Sequence, residues 1–156
     1  MPATDRLMRW TDGLSRVLLT AWAGALWSVV AWIAPAVFRV VEPEAGAVLA
    51  GDLAGTLFGS LAWGGLVAGV ALGALWYRSR RLDRVSLWVL AAAAGAPLAS
   101  ENFLRPKMDI ARAAAHAAGL QNASLNEAFA TLHGMSAGLY VLAAGALAWL
   151  VVRRGR

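Results

Sequence analysis

Leu57-Phe-Gly-Ser-Leu-Ala-Trp-Gly-Gly-Leu-Val-Ala-Gly-Val-Ala-Leu-Gly-Ala-Leu-Trp-Tyr77 carries no charged side chain. It matches the roughly 20 helical residues that cross a hydrocarbon layer about 30 Å thick. Three more stretches read the same way, at about Leu14–Phe38, Val85–Leu104 and Phe129–Val152. Apolar residues make up 60% of the 156-residue chain, and mean hydropathy is +0.59. These features specify an all-α membrane protein. The expected fold is one integral domain over 1–156, a four-transmembrane-helix antiparallel bundle.

The charge distribution fixes an expected orientation. With the N-terminus cytoplasmic, the inner segments hold Arg6, Arg9, Arg16, Arg78, Arg80, Arg81, Arg84, Arg153, Arg154 and Arg156. Only Arg39, Arg105, Lys107 and Arg112 of the 14 basic residues are then outside. The positive-inside rule places both termini in the cytoplasm, with the protein in the inner membrane. The net charge of +5 and the pI near 11.0 follow from that bias and from attraction to anionic lipid, not from nucleic-acid binding. There is no cysteine, which excludes disulfides, thiolate metal sites and cysteine nucleophiles. The first apolar stretch exceeds a secretory h-region of roughly 7–15 residues and is read as a retained helix.

Between the apolar stretches the connections differ. Residues 39–56 read as an acidic outer loop containing Glu42, Glu44 and Asp52, with an alanine-rich run that can form a short helix. Arg78-Ser-Arg-Arg-Leu-Asp-Arg84 is short enough to make the second and third helices antiparallel neighbours. Pro106 suits a first helical position and Gly119 a stop, so 106–118 reads as a short outer surface helix carrying a solvated His116. Ser124 and Glu127 have the spacing of a capping box and open the fourth helix.

Glycines recur every fourth residue at Gly51, Gly55 and Gly59, again at Gly65, Gly69 and Gly73, and at Gly134 and Gly138. That spacing puts small residues on one side of a helix, where another backbone can approach. They read as packing seams inside the bundle, with self-association as the alternative. Pro35 reads as a residue that shapes the end of the first helix.

Ionisable groups at membrane depth are costly and often functional. Glu101 and Arg105 stand one turn apart and are placed to pair, with Asn102 beside them. His133, Ser136 and Tyr140 follow i, i+3, i+7 and share a face, with His133 roughly 13 Å into its helix. Pro35, Arg39, Glu101, Arg105 and His133 all fall in the outer half. Two readings stay open. In one, His133 ligates a metal or haem iron or moves a proton, with Glu101 as its carboxylate partner. In the other, the cluster is a hydrogen-bonded network locking the third helix to the fourth. The chain has no G-x-S-x-G elbow, no phosphate loop and no H-E-x-x-H.

The run Trp22-Ala-Gly24, Ala34-Pro35-Ala-Val-Phe38, Ala54-Gly55-Thr-Leu-Phe58 and Phe129-Ala-Thr-Leu-His133-Gly134-Met-Ser136 resembles the transmembrane protein 205-like family, also called domain of unknown function 4149. The resemblance extends over about 14–150. Where that family has an asparagine one turn after the serine, this chain has Tyr140. The resemblance implies a four-helix membrane bundle without assigned activity. It also implies distant similarity to copper-resistance protein D and the J-type membrane protoporphyrinogen oxidase, which suggests metal or haem handling through histidines. Only His133 matches such a ligand position, and the first helix has no histidine. The expected function is that of a small polytopic membrane protein, non-enzymatic and without cofactor, packing with itself or a membrane partner in the lipid bilayer. The alternative is metal, haem or small-cation handling near His133.

Overall fold

The computed structural model describes residues 3–117 and 127–155. Its elements are α1 (Ala3–Ser28), α2 (Ala34–Arg78), α3 (Arg84–Ala99), α4 (Arg105–Ala117) and α5 (Glu127–Gly155). Ser124 of the expected capping box, Gly119 and the His116 side chain lie outside the described residues. Four helical stretches are long and apolar enough to cross a membrane: Trp10–Glu42, Leu49–Arg78, Arg84–Ala114 and Glu127–Arg154. These first to fourth spans pack in a ring, each antiparallel to the next, and the fourth closes against the first. In the most apolar window of each span, at most 33% is buried within the chain. Trp32, Trp63, Val67, Trp88 and Phe103 all point outward. Such an apolar exterior is solvated by lipid, which has no means of satisfying backbone polar groups, and helices alone meet that condition here.

Two wide turns bend the rods. A π-turn at Val29–Ile33 joins α1 to α2, and another at Ser100–Leu104 joins α3 to α4. In each, the first residue's carbonyl accepts from five residues on: Val29 O from the Ala34 N–H, and Ser100 O from the Arg105 N–H. Each is followed, one residue later, by a proline, Pro35 or Pro106. A proline has no N–H and its ring crowds the carbonyl four residues back. Widening the preceding turn relieves that contact, and such turns recur at functional sites. The expected short helix at 106–118 is α4. It continues from α3 through the second π-turn, so the helix does not break at Pro106 and the apolar helical stretch runs on to Ala114.

The expected loop at 39–56 is corrected. The chain is helical throughout that stretch except at Gly46, where φ is 85° and ψ 161°. That conformation is essentially restricted to glycine. The alanine-rich flanks favour helix on both sides, so one glycine provides the corner between the first two spans.

At the opposite end, which carries both chain termini, polar side chains tie the spans together. Arg81 pairs with Asp12 at 2.9 Å. Asp83 caps α3 by accepting from the Ser86 N–H at 2.9 Å and from its hydroxyl at 2.8 Å. Arg153 and Arg154 approach the same carboxylate. Hydrogen bonding from Ser86, aided by the two arginines, holds the Asp83 carboxyl below its usual range. The Arg154 guanidinium also lies over Trp76, 4.1 Å from the ring centre.

Above these ties the core is solid. Leu19, Trp22, Leu72, Trp76, Leu147 and Leu150 are buried together. Trp22 fills the groove left by the second glycine set. A Cβ at Gly65 would stand 2.9 Å from Trp22 Nε1 and 3.1 Å from its Cζ2, and one at Gly69 would stand 3.3 Å from the Ala94 Cβ. Gly73 meets only Leu90, at an ordinary 3.8 Å. Gly134 and Gly138 are a correction: an added Cβ there would meet nothing, so they form no seam within the chain.

Gly65→Ala should therefore lower stability by about 1–3 kcal/mol, the cost of overpacking a rigid ring. Gly64→Ala, whose Cβ enters open space in the same helix, should leave it unchanged or raise it by up to about 1 kcal/mol. Thermal unfolding in detergent compares the two, and equal losses would refute the groove.

Candidate functional site

The half of the bundle nearest Gly46 is hollow. A cavity of about 370 Å³ opens among all four spans. Its floor is Tyr140, which is 1% exposed and packs with Leu26, Ala143 and Ala144. The Phe58 ring lies against the Tyr140 ring with centres 4.6 Å apart. Apolar walls come from Val30, Ala34, Phe38, Ala54 and Ala137.

One side is a row of charges on the third span. Glu101, Arg105, Met108 and Arg112 follow i, i+4, i+7, i+11 and line the cavity from one helix face. Opposite them stand Gly51, Gly55 and Gly59 on the second span. A Cβ at Gly51 would come 2.8 Å from the Arg112 guanidinium. At Gly55 it would come 3.1 Å from Arg105 Nη2, and at Gly59 it would come 3.0 Å from Arg105 Nη1 and 3.1 Å from Glu101 Oε2. The first glycine set thus receives side-chain charge rather than another backbone.

The cradle also satisfies the charges it receives. Arg105 Nη1 donates to Glu101 Oε2 at 2.7 Å and to the Gly55 carbonyl at 2.8 Å. The Tyr140 hydroxyl lies between two acceptors, the Phe58 carbonyl at 2.9 Å and Glu101 Oε1 at 3.0 Å. Glu101, with its side chain 12% exposed, therefore joins the second, third and fourth spans. Charge-assisted bonds of this kind are about twice as strong as neutral ones. Nearer the mouth, Arg112 pairs with Asp52 at 3.0 Å and lies over the Phe129 ring at 5.4 Å.

Most of the residues anticipated from sequence meet here. Glu101, Arg105, His133, Ser136 and Tyr140 line the cavity, and so does Pro35. Ser136 Oγ lies 2.6 Å from Ser100 Oγ, a direct link between the third and fourth spans. His133 stands exposed at the mouth, its ring stacked on Phe129 at 5.9 Å. Asn102 does not join them: it is exposed, and its side chain donates to the Leu98 carbonyl at 2.8 Å. Arg39 is likewise turned away and donates to the Pro35 carbonyl. Asp52, Arg112, Phe58 and the Gly51–Gly59 cradle were not assigned to a site from sequence. The glycine spacing was visible, and so was the i, i+4, i+11 row, once the third span is carried past Leu104.

A family model described as a domain of unknown function, DUF4149, matches residues 17–117. The chain belongs to that family. The match takes in the glycine cradle, Glu101, Arg105 and Arg112, whereas His133, Ser136 and Tyr140 lie beyond it. No curated protein and no solved structure matches the chain.

Among the described residues, no three of His, Cys, Asp and Glu gather where one metal ion could be held. Glu101 is already engaged by Arg105 and Tyr140, and His133 has an aromatic ring rather than a carboxylate beside it. What the arrangement can do is hold a shaped, partly charged space open between helices.

The Glu101–Arg105 pair should behave as a coupled unit. Arg105→Met, which strands a largely buried carboxylate, should cost about 2 kcal/mol. Arg105→Met with Glu101→Leu should cost less than the two single changes combined, by about 1 kcal/mol or more. Additive losses in detergent unfolding would show that the pair contributes no mutual stabilisation.

Proposed function

We propose that this family member is a non-enzymatic integral membrane protein that receives a small lipophilic molecule between its spans. The observation that carries the reading is the cavity of about 370 Å³. That volume falls in the range of small-molecule sites, which are mostly apolar and carry a few fixed polar groups. Three of its polar groups form a scaffold. Glu101, Arg105 and Tyr140 hold one another, which fixes the shape of the pocket and leaves its apolar walls facing the space.

Extraction and mass spectrometry of the detergent-purified protein test this. A near-stoichiometric small molecule should be recovered from the wild type and lost from Ala137→Trp, which fills the cavity with an indole, at an unchanged melting temperature. The same extract from both proteins, or none from folded wild type, would overturn the reading.

We further propose that the termini are cytoplasmic, so that the cavity opens toward the outer leaflet of the inner membrane. The excess of arginine at the terminal end supports this. The absence of cysteine makes single-cysteine labelling clean. An impermeant maleimide should label Lys107→Cys in intact cells and Arg80→Cys only after permeabilisation; the reverse pattern would invert the topology.

A further inference from the structure

Four carboxylates and two guanidiniums line the cavity, a formal excess of two negative charges. The two guanidiniums are already committed. Arg105 serves Glu101 and the Gly55 carbonyl, and Arg112 serves Asp52 and the Phe129 face. Each guanidinium's charge is thus already offset by a carboxylate, and an anionic ligand would face the carboxylates that remain.

The uncommitted charges have the opposite sign. Glu42, half-buried at the end of the first span, has no hydrogen bond or ion pair among the described residues. Asp109, exposed one turn beyond Arg105 and within reach of its charge, makes neither bond among them. Both line the same cavity. Below them are Phe38, Phe58 and Tyr140, rings whose negative faces attract a positive charge. Carboxylates at the rim and aromatic walls beneath form a gradient suited to a molecule with a positive charge on an apolar body.

Resting on the reading of the cavity as a small-molecule site, we propose that its ligand is a lipophilic organic cation: a quaternary ammonium, a phosphonium or a protonated hydrophobic amine. Glu42 and Asp109 face its charge, and the Phe38, Phe58 and Tyr140 rings hold its body. Neutral and anionic amphiphiles of the same size bind more weakly.

Matched probes separate the possibilities. Tetraphenylphosphonium, tetraphenylborate and neutral triphenylphosphine oxide carry similar aromatic bodies and differ in charge. Equilibrium dialysis against protein in nonionic detergent, with Ala137→Trp as the blocked baseline, measures saturable binding of each. Tetraphenylphosphonium should bind best. Glu42→Gln and Asp109→Asn, each removing one charge at constant shape, should each weaken it by about five- to tenfold, the effect of one partly desolvated charge. Neither change should weaken triphenylphosphine oxide. Tetraphenylborate or the neutral probe binding as tightly as the cation, and lost in Ala137→Trp, would overturn the cation assignment and leave the cavity reading standing. Cation binding unaffected by both carboxylate variants would also overturn the assignment. No probe exceeding the blocked baseline would overturn the cavity reading and the cation assignment together.

Discussion

A guanidinium near the edge of a hydrocarbon layer either reaches out to headgroups and water or finds its hydrogen-bond acceptors within the protein. Arg105 lies roughly 30 Å along the helix from Arg84, at the far margin of the layer that the third span crosses. Its acceptors are Glu101 and the Gly55 carbonyl. Glu101 stands one turn back on the same helix, so it is the Gly55 contact that requires the second span to come close, and a Cβ at Gly55 or Gly59 would crowd the guanidinium at 3.1 or 3.0 Å. The carboxylate so engaged then accepts from Tyr140 on the fourth span. The two members of one intrahelical ion pair thus each reach a different neighbouring span, and three helices are tied together beside the cavity.

The π-turn and proline pairing shapes the other walls. It occurs once in the first span and once in the third, which are diagonal in the ring. Each wide turn adds a residue without breaking the rod, so the positions beyond it are rotated about the helix axis. Beyond the first come Ala34, Pro35, Phe38 and Glu42; beyond the second come Arg105, Met108, Asp109 and Arg112. Both sets face the cavity. Two helices are therefore re-aimed inward at the same level by the same local device, although the flanking sequences have little else in common.

The four spans were legible from hydrophobic length alone, because lipid on the outside demands apolar residues over a fixed distance. The meeting of Glu101, Arg105, His133, Ser136 and Tyr140 was legible because an ionisable or polar residue in such a stretch has to turn inward. Other features depended on continuity that a single sequence does not display. Pro106 reads as a break, and with that break Arg112 becomes a loop charge and the glycines at 51, 55 and 59 have no evident occupant. The π-turn carries the helix to the proline, and the row of charges then falls on one face. Asn102 misled for a complementary reason: an asparagine in a helix can satisfy itself on the carbonyl four residues back. Gly134 and Gly138 have the spacing of a seam, but spacing alone does not say which surface a helix turns toward its neighbours.

The bundle is solid at one end and hollow at the other. At the terminal end, Asp12–Arg81 and the arginines around Asp83 bind the spans into a stiff base. At the Gly46 end, the first two spans are joined through a single glycine around a space of about 370 Å³. Compressibility is then uneven along the axis, since close-packed interiors resist deformation and empty volume does not. Lateral pressure from the acyl chains is therefore resisted at the hollow end by a few polar ties rather than by packing: Arg105 to Gly55, Tyr140 to Glu101, Ser100 to Ser136 and Arg112 to Asp52.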